Sequence, residues 1–74
     1  MKLEFRKEDW EEFLGNIDFT DNEKKIIPLL RRGWYQMDIA AELDISVSTV
    51  KRRITSITNK TVRYIMRTRK MNHN

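Results

Sequence analysis

Seventy-four residues with no cysteine, two glycines and one proline make one domain, near the size at which a single core is only marginally sufficient. Without cysteine there is neither a disulfide nor a thiolate metal site, so helix packing or association with another chain has to supply the stability. The longest apolar run is Ile26 to Leu30, five residues with Pro28 counted, too short to span a bilayer or to form a secretory-signal core. The expected setting is therefore a reducing, cytoplasmic one with no membrane partner.

Charge is the more telling quantity. The chain carries 15 Lys and Arg against 11 Asp and Glu, a net +4. Residues 1–43 hold seven basic and ten acidic side chains, a balance of −3; residues 44–74 hold eight basic side chains and only Asp44, a balance of +7. That polarity suggests a basic surface that meets a polyanion, with a solvated basic tail as the plainer reading.

Few glycines and prolines, with apolar residues three and four apart throughout, predict an all-α chain: a small bundle of four to five helices. After a brief alternation at Leu3 and Phe5, a helix opens at Lys7. Trp10, Phe13, Leu14 and Ile17 form its apolar stripe, and Glu8, Asp9, Glu11 and Glu12 face away. Its early acids suit the helix dipole, and Gly15-Asn16 reads as its stop. Thr20-Asp21-Asn22-Glu23 is a capping box for a second helix bearing Ile26, Ile27, Leu29 and Leu30, which ends at Arg31 and Arg32 before Gly33. Pro28 falls well inside that helix and should bend it.

A short helix from Gln36 to Leu43 follows, with Ile39, Ala40 and Leu43 on its apolar face. Asp44-Ile45 form a tight connection, and Ser46 caps a further helix that begins at Val47 and buries Val50, Ile54 and Ile57. That helix either stops near Asn59 or runs on; in the first case Thr61 caps a last helix holding Val62, Ile65 and Met66 among Arg67, Arg69 and Lys70. The terminal Met71 to Asn74 should fray. This divides the single domain into an N-terminal helical extension (1–18), a trihelical core (19–60) and a basic C-terminal helix and tail (61–74).

Gln36 to Ile54 has helix-turn-helix spacing. Ala40 must be small because the next helix crosses close above it, while Leu43, Ile45, Val50 and Ile54 close the small core between the two helices. The exposed face of the second helix then presents Val47, Ser48, Lys51, Arg52 and Thr55 to a major groove. Lysine and arginine there can pair with guanine O6 and N7, while hydroxyls and amines hold the backbone. A solvated basic face is the competing reading of Lys51-Arg52-Arg53, and for Arg63, Arg67, Arg69 and Lys70 phosphate contact and a soluble tail weigh equally.

Phe19 to about Lys60 resembles the LuxR/GerE-type helix-turn-helix. The matching positions are Phe19-Thr20-Asp21-Asn22-Glu23, Ile26-Ile27, Leu29-Leu30, Gly33, the run from Ile39 to Ser46, and Thr49-Val50-Lys51-Arg52. The same stretch is similar to sigma-factor region-four domains. The resemblance implies a trihelical DNA-binding fold with Lys51 and Arg52 lining the groove beside Val47, Ser48 and Thr55. It further implies that Thr49, Arg53 and Lys60 bind phosphates. Departures are Tyr35 in place of a hydroxyl cap, Pro28 within the first helix, Arg53 where histidine is common, and Thr61-Val62 where the family has Leu-Gly. The last bears on the fourth helix through which such domains often dimerise, and the helix around Trp10 lies outside the family core.

Nothing in the chain has the spacing of catalytic or cofactor chemistry. His73 has no partner in sequence, the four methionines form no stripe, and Glu11-Glu12 diverge on their helix. We therefore expect no enzyme, no metal and no cofactor. The leading expectation is a nucleoid-associated regulator of bacterial or phage type that binds double-stranded DNA as a homodimer through Trp10, Phe13 and Leu14 or through Val62, Ile65 and Met66. A different class is a protein–protein adaptor, offering the acidic face of Glu8, Asp9, Glu11 and Glu12 to RNA polymerase or another regulator. A toxin–antitoxin or phage regulatory partner that uses both surfaces is a third.

Overall fold

A computed structural model describes residues 5–69; Leu3, Lys70 and His73 lie outside that range. Four helices account for four-fifths of it: α1 (Lys7–Asn16), α2 (Asp21–Arg31), α3 (Gln36–Leu43) and α4 (Val47–Arg69), with no strand among the described residues. The all-α expectation holds, at the lower of the two helix numbers.

The predicted caps form where the residues favour them, and they add two features. Thr20 accepts from the Glu23 N–H while the Glu23 carboxylate accepts from the Thr20 N–H at 2.8 Å, closing the capping box of α2. At the other end Gly33 takes φ +83°. Its N–H reaches Leu30 O at 3.0 Å and the Trp34 N–H reaches Leu29 O at 3.1 Å, a paired closure that satisfies two carbonyls the helix leaves open. Pro28 stays within a continuous helix; it and Lys24, whose carbonyl it leaves without a partner, are exposed, so water can serve that carbonyl. α1 ends at Asn16, where Gly15-Asn16 reads as its stop, but without a left-handed residue: Gly15 has no positive φ, and Ile17 closes the helix in an extended conformation.

Asp44 supplies the left-handed residue at the α3–α4 turn, with φ 57°. Ile45 N–H bonds Ala40 O at 3.0 Å across it, and Ser46 then caps α4 by accepting from the Thr49 N–H at 3.1 Å. An aspartate tolerates this conformation better than most residues because its short side chain bonds locally.

Of the two courses left open at Asn59, α4 takes the second and runs on. It does not stop near Asn59, and Thr61 caps nothing; one helix of 23 residues runs to Arg69, about 35 Å at 1.5 Å per residue. Thr61 is fully buried and its hydroxyl donates to Thr58 O. The boundary drawn between residues 60 and 61 therefore falls within a continuous element. Val50, Ile54, Ile57 and Thr61 form its buried stripe, facing Ile26, Ile27 and Leu29 from α2 and Ile39 and Ala40 from α3 in one core.

α1 closes over the C-terminal half of α4. Phe13 is fully buried, edge-on to Tyr64 at 5.8 Å between ring centres, and Trp10 stacks edge-on against Phe13 and Phe5. Tyr64 donates its hydroxyl to Glu12, and Arg69 reaches Glu12 at 3.1 Å and Asp9 at 3.8 Å. The Glu12 carboxylate that accepts this bond holds Tyr64 above the ordinary phenol range, with burial adding to it. Trp10 and Phe13 are thus core residues.

Glu23 ties α2 to the middle of α4. It is 2 % exposed, and besides its cap it accepts from Ser56 and from Lys60 at 2.8 Å. Burial pushes its pKa up, but the hydrogen bonds from Lys60, Ser56 and Thr20 and the Lys60 charge outweigh this and hold it below the usual carboxylate value. The folded state thus gains stability from ionised Glu23 above the ordinary glutamate range and loses it as the pH falls through the lowered value.

Two measurements follow from these features. Chemical unfolding followed by circular dichroism near neutral pH should find Glu23→Gln less stable by about 2 kcal/mol, the worth of hydrogen bonds to a buried charge, with a flatter loss of stability in acid than the parent. No side chain lies within 4 Å of a Cβ at either glycine, so backbone conformation alone decides those positions. Gly33→Ala should cost about 1 kcal/mol and Gly15→Ala should stabilise by up to about 1 kcal/mol, read by the same unfolding assay.

Candidate nucleic-acid interface

The α3–turn–α4 unit is held by the connection Asp44-Ile45-Ser46, and the apolar positions assigned to it pack as expected. Ala40 is 6 % exposed and Val50 fully buried, while Leu43 and Ile45 lie half-buried against the same core. Because Val50, Ile54, Ile57 and Thr61 fix the inner face of α4, helical spacing fixes the outer one. Ser48, Arg52, Thr55, Asn59, Arg63 and Met66 follow one another at three and four residues along it, and all six are exposed.

The eight residues singled out from the sequence divide by position. Ser48, Lys51, Arg52 and Thr55 are exposed on or beside the outer strip. Val47 is half-buried and packed against the core, so it presents less surface than expected. Thr49 is half-buried; its hydroxyl shares a hydrogen bond with Ser46 at 2.9 Å and accepts from Arg52 at 3.3 Å. These contacts orient the Arg52 guanidinium over the first turn of α4.

Arg53 and Lys60 fall on the flank that faces α2, where Ser56 also lies. Arg53 is half-buried, and its Nε is enclosed among protein atoms. Lys60 already has partners within the fold. Its ammonium is bound to the Glu23 carboxylate and to Asp18 O at 3.1 Å and stands 5.8 Å from the centre of the Phe19 ring. These contacts join α4 to α2 and use two of the three donors of the ammonium, while the side chain stays partly exposed.

The basic half of the chain is therefore not uniformly free. Of the cations on α4, Lys60 and Arg69 are engaged internally, whereas Lys51, Arg52, Arg63 and Arg67 are exposed and no acid of the described residues lies within ion-pair distance of them. α4 itself contains no acidic residue. Asn59 and Arg63 continue the outer strip past the eight residues assigned from the sequence. The unbroken spacing from Val50 to Thr61 was the signal that joins them to it.

The acids of α1 are also partly spent. Asp9 and Glu12 hold Arg69 and Tyr64, leaving Glu8 and Glu11 exposed. The large exposed apolar side chains are Leu14, Tyr35, Met37, Val62 and Met66. Among the described residues no group of His, Cys, Asp and Glu could hold a metal, and no helix is long and apolar enough to cross a membrane. Compared with known proteins, the chain matches no family model, no curated protein and no solved structure.

Proposed function

We propose that this chain is a DNA-binding transcription regulator of the LuxR/GerE or sigma-region-four type, with the N-terminal half of α4 as the helix that enters the major groove. The observation that carries this reading is the outer strip of α4. Ser48, Arg52 and Thr55 stand on it and Lys51 beside it, at the capped end of a helix that bears cations and no acid. Lys51 and Arg52 are the base-reading candidates, Ser48, Thr55 and Asn59 can donate or accept alongside them, and Arg63 and Arg67 reach phosphates further along the groove. The Thr49–Arg52 contact favours a pre-oriented guanidinium, which lowers the entropy lost on binding.

One such module makes few contacts, so useful affinity calls for a second copy on a two-part site. With Trp10 and Phe13 inside the core, the dimer surface falls to Val62 and Met66, one turn apart on α4, and to Leu14. The cytoplasm, at the nucleoid, is the setting that this function requires. As an adaptor for RNA polymerase the chain would offer only Glu8 and Glu11 of its acidic face, so DNA is the preferred partner.

Random-site selection with the purified protein should enrich a two-part motif, and no enrichment would sink the reading. On a selected site, Arg52→Ala and Lys51→Ala should each weaken binding by about 1–3 kcal/mol and relax preference at one base pair. Arg63→Ala and Arg67→Ala should weaken binding on all sequences, each lowering the slope of log affinity against log salt by about 1.

A further inference from the structure

A groove opens beside the N-terminal half of α4, bounded by the start of α1, the end of α2 and the start of α3. Its volume of ≈ 1100 Å³ is at the upper limit of small-molecule sites, which run to roughly 1,000 Å³. The floor is apolar: Leu30, Trp34 and Val47 are half-buried there, and Met37 and Tyr35, 73 % and 79 % exposed, form its outer lip. The charged residues that line it among those described are Arg6, Lys7, Arg31 and Lys51, all basic, with no acid. Arg6 is partly answered by Asp9 at 4.0 Å.

An aromatic and aliphatic floor with a cationic rim selects an occupant with the opposite arrangement. We infer that this groove docks an acidic amphipathic helical segment of a partner protein, its apolar residues on Leu30, Trp34 and Met37 and its carboxylates on Lys7, Arg31 and Lys51. Such a helix lays anchors at i, i+4 and i+7 along a groove, and the charges give it orientation and speed of encounter. A DNA backbone would answer the rim but leave the floor unused; a small carboxylate would fill only part of the length.

Lys51 belongs to both surfaces. It lines the groove and stands beside the outer strip of α4, so a carboxylate seated there removes it from DNA. The segment then acts as an off-switch. This coupling rests on the DNA-binding reading; the docking does not.

Both tryptophans of the chain, Trp10 and Trp34, line the groove, so their emission reports occupancy of the full-length protein with no label. The probe is a synthetic helical peptide with leucine at i, i+4 and i+7 and glutamate on the flanking positions. It should shift that emission saturably, and a counterpart with lysine for glutamate should bind at least tenfold more weakly. Met37→Glu, at an exposed position that folding does not need, and Arg31→Glu should each weaken the peptide by tenfold or more. Equal binding of the lysine peptide, or no effect of either variant, overturns the proposal. So does phenylacetate binding as tightly as the peptide, or an Arg31→Glu protein that loses DNA affinity while keeping the peptide, which would assign the rim to phosphates. Saturating peptide should raise the apparent Kd for a selected DNA site. An unchanged Kd removes the off-switch, whereas a protein that takes the peptide and binds no DNA removes the proposed function and leaves the docking standing.

Discussion

A buried carboxylate holds the α2–α4 junction. Glu23 would satisfy the start of α2 from a solvent-exposed position, as capping-box glutamates do, but here it is enclosed and carries three donors from two helices. A buried charge is costly unless it is paired and hydrogen-bonded. Lys60 and Ser56 meet that requirement only if α4 lies at one height and one rotation against α2. The rotation that seats Ser56 and Lys60 on Glu23 is the one that turns Arg52 and Thr55 to solvent. The local cap of one helix thereby sets the outward face of another.

The charge polarity of the chain is resolved by the same packing. The surplus of base after residue 43 looks in the sequence like one continuous patch, yet it is divided among three tasks. Lys60 locks α2, Arg69 receives the acids of α1, and Lys51, Arg52, Arg63 and Arg67 stay exposed. Each internal pairing draws its acid from the negative half of the chain, so folding neutralises part of the imbalance and concentrates the remainder along one strip of α4. The N-terminal acids that suit the dipole of α1 as local features are also partners for residues more than fifty positions away.

Local signals were legible and long-range pairings were not. The bounds of α2 and α3 could be read from Thr20, Glu23 and Gly33 and from the spacing of Ile39, Ala40 and Leu43, because caps and amphipathic spacing are written within a few residues. Gly15-Asn16 marked the end of α1 without supplying a left-handed stop, because the chain goes on in an extended conformation at Ile17. Thr61 left the course of α4 open because a threonine can cap a helix or, mid-helix, turn its hydroxyl onto a carbonyl of the preceding turn, as Thr58, Thr61 and Thr68 all do. Which of these it does depends on whether α1 covers the far half of α4, and that contact leaves no local trace. Lys60 belongs to the same class. Its partner Glu23 lies 37 positions away and leaves no trace in the residues around it.

The closure of α1 over α4 also sets an order of events during synthesis. α1 is made before α2, α3 and α4, but the residues that hold it, Tyr64 and Arg69, lie 52 and 57 positions beyond Glu12. Its aromatic face must therefore wait, uncovered, while α2, α3 and most of α4 emerge and find one another. Contacts that span so much of a chain form late, because the loop they close is long. The newborn helix thus carries Trp10 and Phe13 in the open until the last turns of α4 arrive, and that interval is when the growing chain is most exposed to association through them.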